Sequence, residues 1–160
     1  MCGRNCKVFI DIHVHPAFFE PINEDSSKTE YRHNVLNIHK NGLAPLEHIF
    51  NLMACAGLDK LALLPQDYSS IHGSAAVSNE EIKKLVDMAP DKFIGFGGID
   101  PFEEGCCERL EEAFSVFKLK GLTLHPSKQR FYPSDERLEK IYGICEQYNK
   151  PIIFHSGLSW

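Results

Sequence analysis

Long apolar runs are missing from this sequence: none of its 160 residues falls in a stretch approaching the roughly 20 apolar residues of a membrane-spanning helix. The opening MCGRNCKVFIDI has neither the extended apolar segment nor the small-residue cleavage site of a secretory signal, so the expected location is cytoplasmic. Positive charge is also scarce. Lys and Arg number 17 against 22 Asp and Glu, a net charge of -5, and nucleic acid is therefore not an expected partner. The six cysteines, Cys2, Cys6, Cys55, Cys106, Cys107 and Cys145, contain no C-x-x-C pair. Cys2 and Cys6 have no second pair with which to complete a zinc site, and reduced thiols are expected in the absence of a secretory signal. No G-x-G-x-x-G follows the first apolar run, which removes the usual dinucleotide loop. No low-complexity segment or linker divides the chain, so residues 1–160 read as one domain.

What is present is an alternation of apolar runs and helical patterns. VFIDIHVH (8–15) reads as a strand closed by Pro16, followed by a long polar loop from about Ala17 to Gly42. A helix is predicted over 45–57, with Pro45 at its first position and Gly57 beyond its end. Strand 59–65 leads to helix 78–89, where Ser78 and Glu81 have capping-box spacing. Strand 92–100 carries glycines that suggest close approach of another backbone or a ligand. Helix 103–117, strand 119–126, helix 134–149 with Ser134 as cap, and strand 151–155 complete the order. The pattern is βαβαβαβαβ, which requires a parallel sheet with helical crossovers. Both an open doubly wound sheet and a (β/α)8 barrel have this order. Histidines at the ends of several strands favour the barrel, which gathers its chemistry from several strand ends. A whole barrel of this type takes about 250 residues, so the expected fold is an α/β, TIM-barrel type chain of about five βα units.

Those histidines carry the candidate chemistry. On strand one, Asp11, His13 and His15 are expected on one face and Ile10, Ile12 and Val14 on the other. Two residues of strand rise put His13 and His15 about 6–7 Å apart along the backbone, close enough for both imidazoles to lean onto one cation. Buried, hydrogen-bonded histidines are the alternative. Asp11 is expected to orient an imidazole or a nearby backbone group, or to serve the strand start, rather than to ligate. His155 shares a face with Ile153, and at the same end of the same sheet becomes a candidate third ligand. His125 ends strand four beside Thr123 and could be a ligand, a substrate contact or a packing residue. His33, His39, His48 and His72 have no partner at ligand spacing and are expected to be solvated. In the 17–42 segment, Lys28 and Arg32 either offer a cation to a carboxylate or belong to an ordinary solvated loop.

FIDIHVHP, FIGFGGIDP, GLTLHP and PIIFHSG occur in that order across nearly the whole chain. Together they resemble the amidohydrolase-related family of metal-dependent hydrolases, more narrowly its aminocarboxymuconate-semialdehyde decarboxylase-like branch. The resemblance implies a (β/α)8 barrel with one divalent metal ion, zinc by preference, held by His13, His15 and His155. It implies a metal-dependent hydrolase or decarboxylase acting on a small carboxylate-bearing molecule; His125, which matches none of those ligand positions, is the candidate substrate contact. Many relatives carry lysine at the position of Thr123, and threonine cannot be carboxylated to bridge two metals, so a single-metal site is expected. The catalytic histidine of strand six and the metal-binding aspartate of strand eight are expected beyond Trp160. The chain by itself is then expected to be inactive, with the edges of strands one and five open to a second copy or to completion by another polypeptide. Two other readings stay open: a non-catalytic metal-binding or interaction fragment, and a TatD-like or PHP-type phosphoesterase, against which FIGFGGIDP lacks an acidic G-E-x-G motif.

Overall fold

A computed structural model of the protein describes residues 7–38 and 42–156. Cys2, Cys6 and His39 lie outside the described residues. Six short strands form two three-stranded parallel sheets, in the orders β1-β2-β3 and β4-β5-β6. They are β1 Ile10–Val14, β2 Lys60–Leu63, β3 Phe93–Gly95, β4 Gly97–Gly98, β5 Leu122–Leu124 and β6 Ile152–Phe154. Spatial order equals chain order throughout. A doubly wound sheet would reverse its order at a switch point, so the alternative of an open Rossmann-like sheet is removed.

The strand expected over 92–100 is interrupted at Phe96. Its N–H bonds to Leu63 O at 3.0 Å, whereas the next N–H, of Gly97, bonds to Gly121 O at 2.7 Å. The chain changes hydrogen-bonding partner from β2 to β5 within two residues, which joins the two sheets in sequence. The glycines here admit side chains first, with backbone next nearest at Gly97, where a Cβ would stand 3.6 Å from Gly121 O. A Cβ on Gly95 would stand 2.7 Å from Leu119 Cδ2, and one on Gly98 would stand 2.8 Å from Pro65 Cγ.

Strand alternation separates two environments. Leu61, Leu63 and Phe93 belong to an outer core under the helices, while Ala62, Leu64 and Phe96 form an inner cluster with Ile94 and Ile153. Because Thr123 pairs in register with Ile153, it shares that inner side. On β6, Ile153 faces inward while Ile152 and Phe154 pack with the outer core around Leu110, Phe114 and Leu138, as alternation predicts. β1 departs from simple alternation: Asp11 pairs with Leu61 and Val14 with Leu63, so three steps on one strand match two on the other. Such a bulge re-aims side chains. Among the described residues β1 and β6 each have a partner on one side only, and Ile12 on β1 is 64% exposed. No helix among them is long and apolar enough to cross a membrane.

The helices are α1 Ser26–Leu36, α2 Leu46–Ala56, α3 Ser69–His72, α4 Asn79–Met88, α5 Cys106–Ser115, α6 Pro126–Gln129 and α7 Glu139–Gln147. The predicted capping box on α4 is formed, and Gly57 ends α2 in the left-handed conformation at φ 68°. Leu138, Ile141 and Cys145 are buried along one stripe, as their spacing requires. Ser134 is not the cap of that segment. Asp135 instead accepts from Arg137 N at 3.0 Å and opens a 3-10 turn, Glu136–Leu138, that runs into α7.

The expected polar loop at 17–42 is largely ordered as helix α1, capped by Asp25, whose Oδ1 accepts from Ser27 N at 2.8 Å. Its stripe is obscured in the sequence because its most buried residue is an arginine. Arg32 is fully buried; it donates through Nε to Ala76 O at 2.7 Å and through Nη1 to Ile22 O at 2.7 Å and Asn23 Oδ1 at 2.6 Å. Its Nη2 meets Glu81 Oε2 at 2.7 Å. Lys28 also pairs with Glu81. Arg32 is therefore neither a solvated loop residue nor free for a substrate, and Lys28, on the same helix and half exposed, is paired with the same carboxylate. Removing one member of a buried pair strands the other charge. Arg32→Ala is expected to destabilise the protein by about 3 kcal/mol, at the low end of the range because Lys28 stays beside Glu81, measured as a lowered urea midpoint.

Candidate metal centre

His13 is the fourth residue of β1, His15 stands just beyond the end of that strand, and His155 leaves β6, its N–H continuing the ladder to Leu124 O at 2.8 Å. Asp11 Oδ1 accepts from His13 N at 2.9 Å, so its role is to hold the backbone that presents His13. Sheet curvature then brings the imidazoles together. His13 Nε2 lies 3.2 Å from His15 Nε2 and 3.0 Å from His155 Nδ1, and one ligand nitrogen from each ring falls within 4.8 Å of the others. His15 Nδ1 faces Leu64 O at 3.3 Å, and a carbonyl accepts only from N–H. The proton of neutral His15 is thereby placed on Nδ1, leaving a lone pair on Nε2. One hydrogen on His13 Nε2 cannot serve two imidazole contacts well. A cation accepts all three lone pairs at once, so the donor set fits a divalent metal ion of borderline softness.

Burial lowers the pKa of His15 to about 4, helped by its histidine neighbours and Lys128. His155 is lowered too, by burial first and then by His13 and Lys128. Neutral imidazole is the form a metal requires.

His125 is the fourth histidine of this group but not part of the ligand triad. Its ring stacks on that of His155 at 4.7 Å and 25°, and lies 5.5 Å from His15. Gln129 fixes its backbone: Oε1 accepts from His125 N at 2.8 Å, while Nε2 donates to Asp67 O and Ile99 O, both at 2.8 Å. Gln66 Nε2 donates to the Tyr68 hydroxyl at 3.3 Å, which faces His125 Nδ1 at 3.2 Å. Burial pushes the Tyr68 hydroxyl up to about 12, so it stays protonated beside His125. His125 Nε2 is buried without a hydrogen-bond partner. Thr123 Oγ1 and Gln66 Oε1 are orphaned in the same way. Burial lowers the pKa of His125 to about 3.

Of the remaining histidines, His48 and His72 are exposed as expected. His33 is not simply solvated; it is half-buried, contacts Ile38 O through Nδ1 and packs beside Phe18. Sequence reasoning passed over Gln66, Tyr68, Lys128 and Gln129. The signal available was position: QDY follows the predicted strand 59–65 and PSKQ follows His125, at strand ends where a barrel places its chemistry.

Residues 10–160 match the family model described as Amidohydrolase, and the chain belongs to that family. No curated protein sequence matches it significantly. Similar solved structures include 4-oxalomesaconate hydratase from Rhodopseudomonas palustris, with a TM-score of 0.66 at 20% identity over 92% of this chain and 52% of that one. A TIM-barrel protein from Bordetella bronchiseptica has a TM-score of 0.66 at 20% identity over 92% and 55%. 5-Carboxyvanillate decarboxylase from Novosphingobium aromaticivorans, a D314N mutant with bound manganese and 3-methoxy-4-hydroxy-5-nitrobenzoic acid, has a TM-score of 0.57 at 19% identity over 69% and 34%. The fold is that of a TIM-barrel amidohydrolase, and the chain spans about half the length of the first two structures.

The lowered pKa values of His15 and His125 carry a sign for stability. In the unfolded chain each returns toward about 6.5, so their contribution is complete above that pH and is lost as pH falls toward the folded values of about 4 and 3. Metal-free protein is expected to lose about 2–4 kcal/mol between pH 7 and 5, read from urea midpoints across that window.

Proposed function

We propose that this chain carries the first part of the active site of a metal-dependent hydrolase or decarboxylase that acts on a small carboxylate-bearing substrate. His13, His15 and His155 would hold one divalent ion, zinc by preference, and His125 would face the substrate. The observation that carries this reading is the convergence of three imidazole nitrogens within 4.8 Å, two of them from a strand 142 residues away from the third. When bound, the ion supplies Lewis acidity, polarising a substrate oxygen or making a water acidic enough to act near neutral pH.

The chain's own residues divide the remaining work. Leu64 O holds the His15 ring in the orientation that turns Nε2 inward, and Asp11 holds the His13 backbone. The Gln66–Tyr68 pair fixes the His125 ring, whose Nε2 has no other partner and could meet an oxygen of a bound carboxylate. Thr123, fully buried, leaves no lysine for a second metal. By the family resemblance, proton transfer to carbon or to a leaving group would fall to a histidine on the barrel strand that follows β6, with a fourth metal-binding residue on the barrel's eighth strand. A second copy or another polypeptide would cover the open edges of β1 and β6. A phosphoesterase reading finds less support at the end of β4. Asp100 there is committed to local structure, accepting from Ser70 N at 3.0 Å and Phe102 N at 3.1 Å.

Metal-free protein titrated with zinc and with manganese is expected to take up one ion per chain. His13→Ala, His15→Ala and His155→Ala should each weaken binding by more than the roughly 10–100-fold that follows loss of an outer hydrogen-bond partner. His48→Ala should leave it unchanged. Binding by the triple variant as tight as by the native chain would overturn the metal assignment.

A further inference from the structure

A cavity of about 250 Å³ is lined from α4 and α5 and by Gly98 of β4, and none of the strand-end histidines borders it. Its charges are lopsided: the carboxylates of Asp67, Glu80, Glu103 and Glu112 stand against one guanidinium, that of Arg109. Among the described residues none of these groups takes part in an ion pair. Arg109 instead donates through Nη1 to Glu104 O at 2.8 Å.

An acidic lining alone would be an ordinary solvated face. Two buried side chains make this one different. Asp67 is 9% exposed and uses Oδ1 for Ser69, accepting from its N–H at 3.0 Å and its hydroxyl at 2.6 Å. Its Oδ2 has no partner among the described residues. Asn79, also 9% exposed, accepts from Gly98 N through Oδ1 at 2.8 Å, which leaves Nδ2 without a partner among the same residues. Neither free atom is sealed in the interior, so each opens onto the cavity that its residue lines. A charged acceptor and a neutral donor, each fixed by a bond to the backbone, are thus held ready on largely desolvated side chains. Such groups are rarely left unpaired, because the lost hydration is then repaid by nothing.

The carboxylates stand too far apart to close on a metal ion. Among the described residues only the histidine triad gathers three such ligand atoms within 4.8 Å. A guanidinium spreads its N–H donors over a plane and reaches acceptors that a compact ion cannot draw together. It also stacks on aromatic rings, and Phe117 forms part of the wall. The volume lies below the roughly 300–1,000 Å³ of sites for drug-sized ligands, so the ligand is small.

We propose that this cavity binds a small guanidinium compound that also carries a carboxylate, the chemistry of free arginine. Asp67 Oδ2 accepts from the guanidinium, while Asn79 Nδ2 donates to the carboxylate and Arg109 supplies its counter-charge. Neither contact depends on a metal at the histidines.

The test is calorimetric titration of arginine, citrulline and agmatine into the full chain. One arginine per chain is expected. Citrulline, similar in shape but without the guanidinium charge, should bind about tenfold more weakly or worse, as loss of a hydrogen bond between charged groups implies. Asp67→Asn keeps Oδ1 for Ser69 and removes the charge; Asn79→Asp keeps Oδ1 for Gly98 and removes the donor. Each should weaken arginine by about tenfold or more. Glu111→Gln, at an exposed position of α5 outside the lining, should not. Agmatine, which lacks the carboxylate, should lose nothing to Asn79→Asp, and this separates loss of the donor from loss of the fold. Arginine that binds no better than citrulline, or that binds Asp67→Asn or Asn79→Asp as tightly as the native chain, would overturn the assignment.

Discussion

Parallel strands can pair in register only when the intervening chain returns to the same end of the sheet. Here that requirement is met at every crossover, and each new strand is laid beside the one before it. A sheet grown in that manner twists and curves in one sense. The curvature lets β1 and β6, which share no hydrogen bond, bring His13 and His155 to 3.0 Å. The site depends on this closure more than on any local motif.

Two devices adjust the closure. At Phe96 and Gly97 the backbone passes its hydrogen bonds from Leu63 to Gly121, so that the third strand belongs to both sheets. On β1 the bulge between Asp11 and Val14 sets the direction of the two strand-end histidines, with Asp11 bonded to the His13 backbone. Both occur near the strand ends where the polar groups gather, a common place for irregular backbone in a barrel.

Buried polar groups occur both beside the histidines and away from them. Arg32 has a partner for each nitrogen and locks α1 to α4. By contrast, Thr123 Oγ1, His125 Nε2 and Gln66 Oε1 are buried and unpartnered at the ends of β5 and β2. Buried polar atoms are rarely left without partners in folded proteins. Three of the four unpartnered atoms lie near a histidine triad whose donor set fits a cation.

Most of the secondary structure was legible because its signals are local. Alternation placed Ile153 and His155 on one face, capping-box spacing started α4, and helical spacing buried Leu138, Ile141 and Cys145. The three histidines could be named for the same reason, since each stands at a strand end in a recognisable motif. Helix α1 could not be, because its buried stripe is centred on Arg32, a residue that reads as solvent-exposed until Glu81 arrives from 49 residues away. Nor could Tyr68, whose place beside His125 comes from a contact 57 residues along the chain. The sequence by itself determined most of the segments that became strands and helices, since periodicity and capping act within a few residues. Only the tertiary structure decided that the strand-end histidines meet and that Arg32 is spent on the fold, because those contacts join segments the chain keeps far apart.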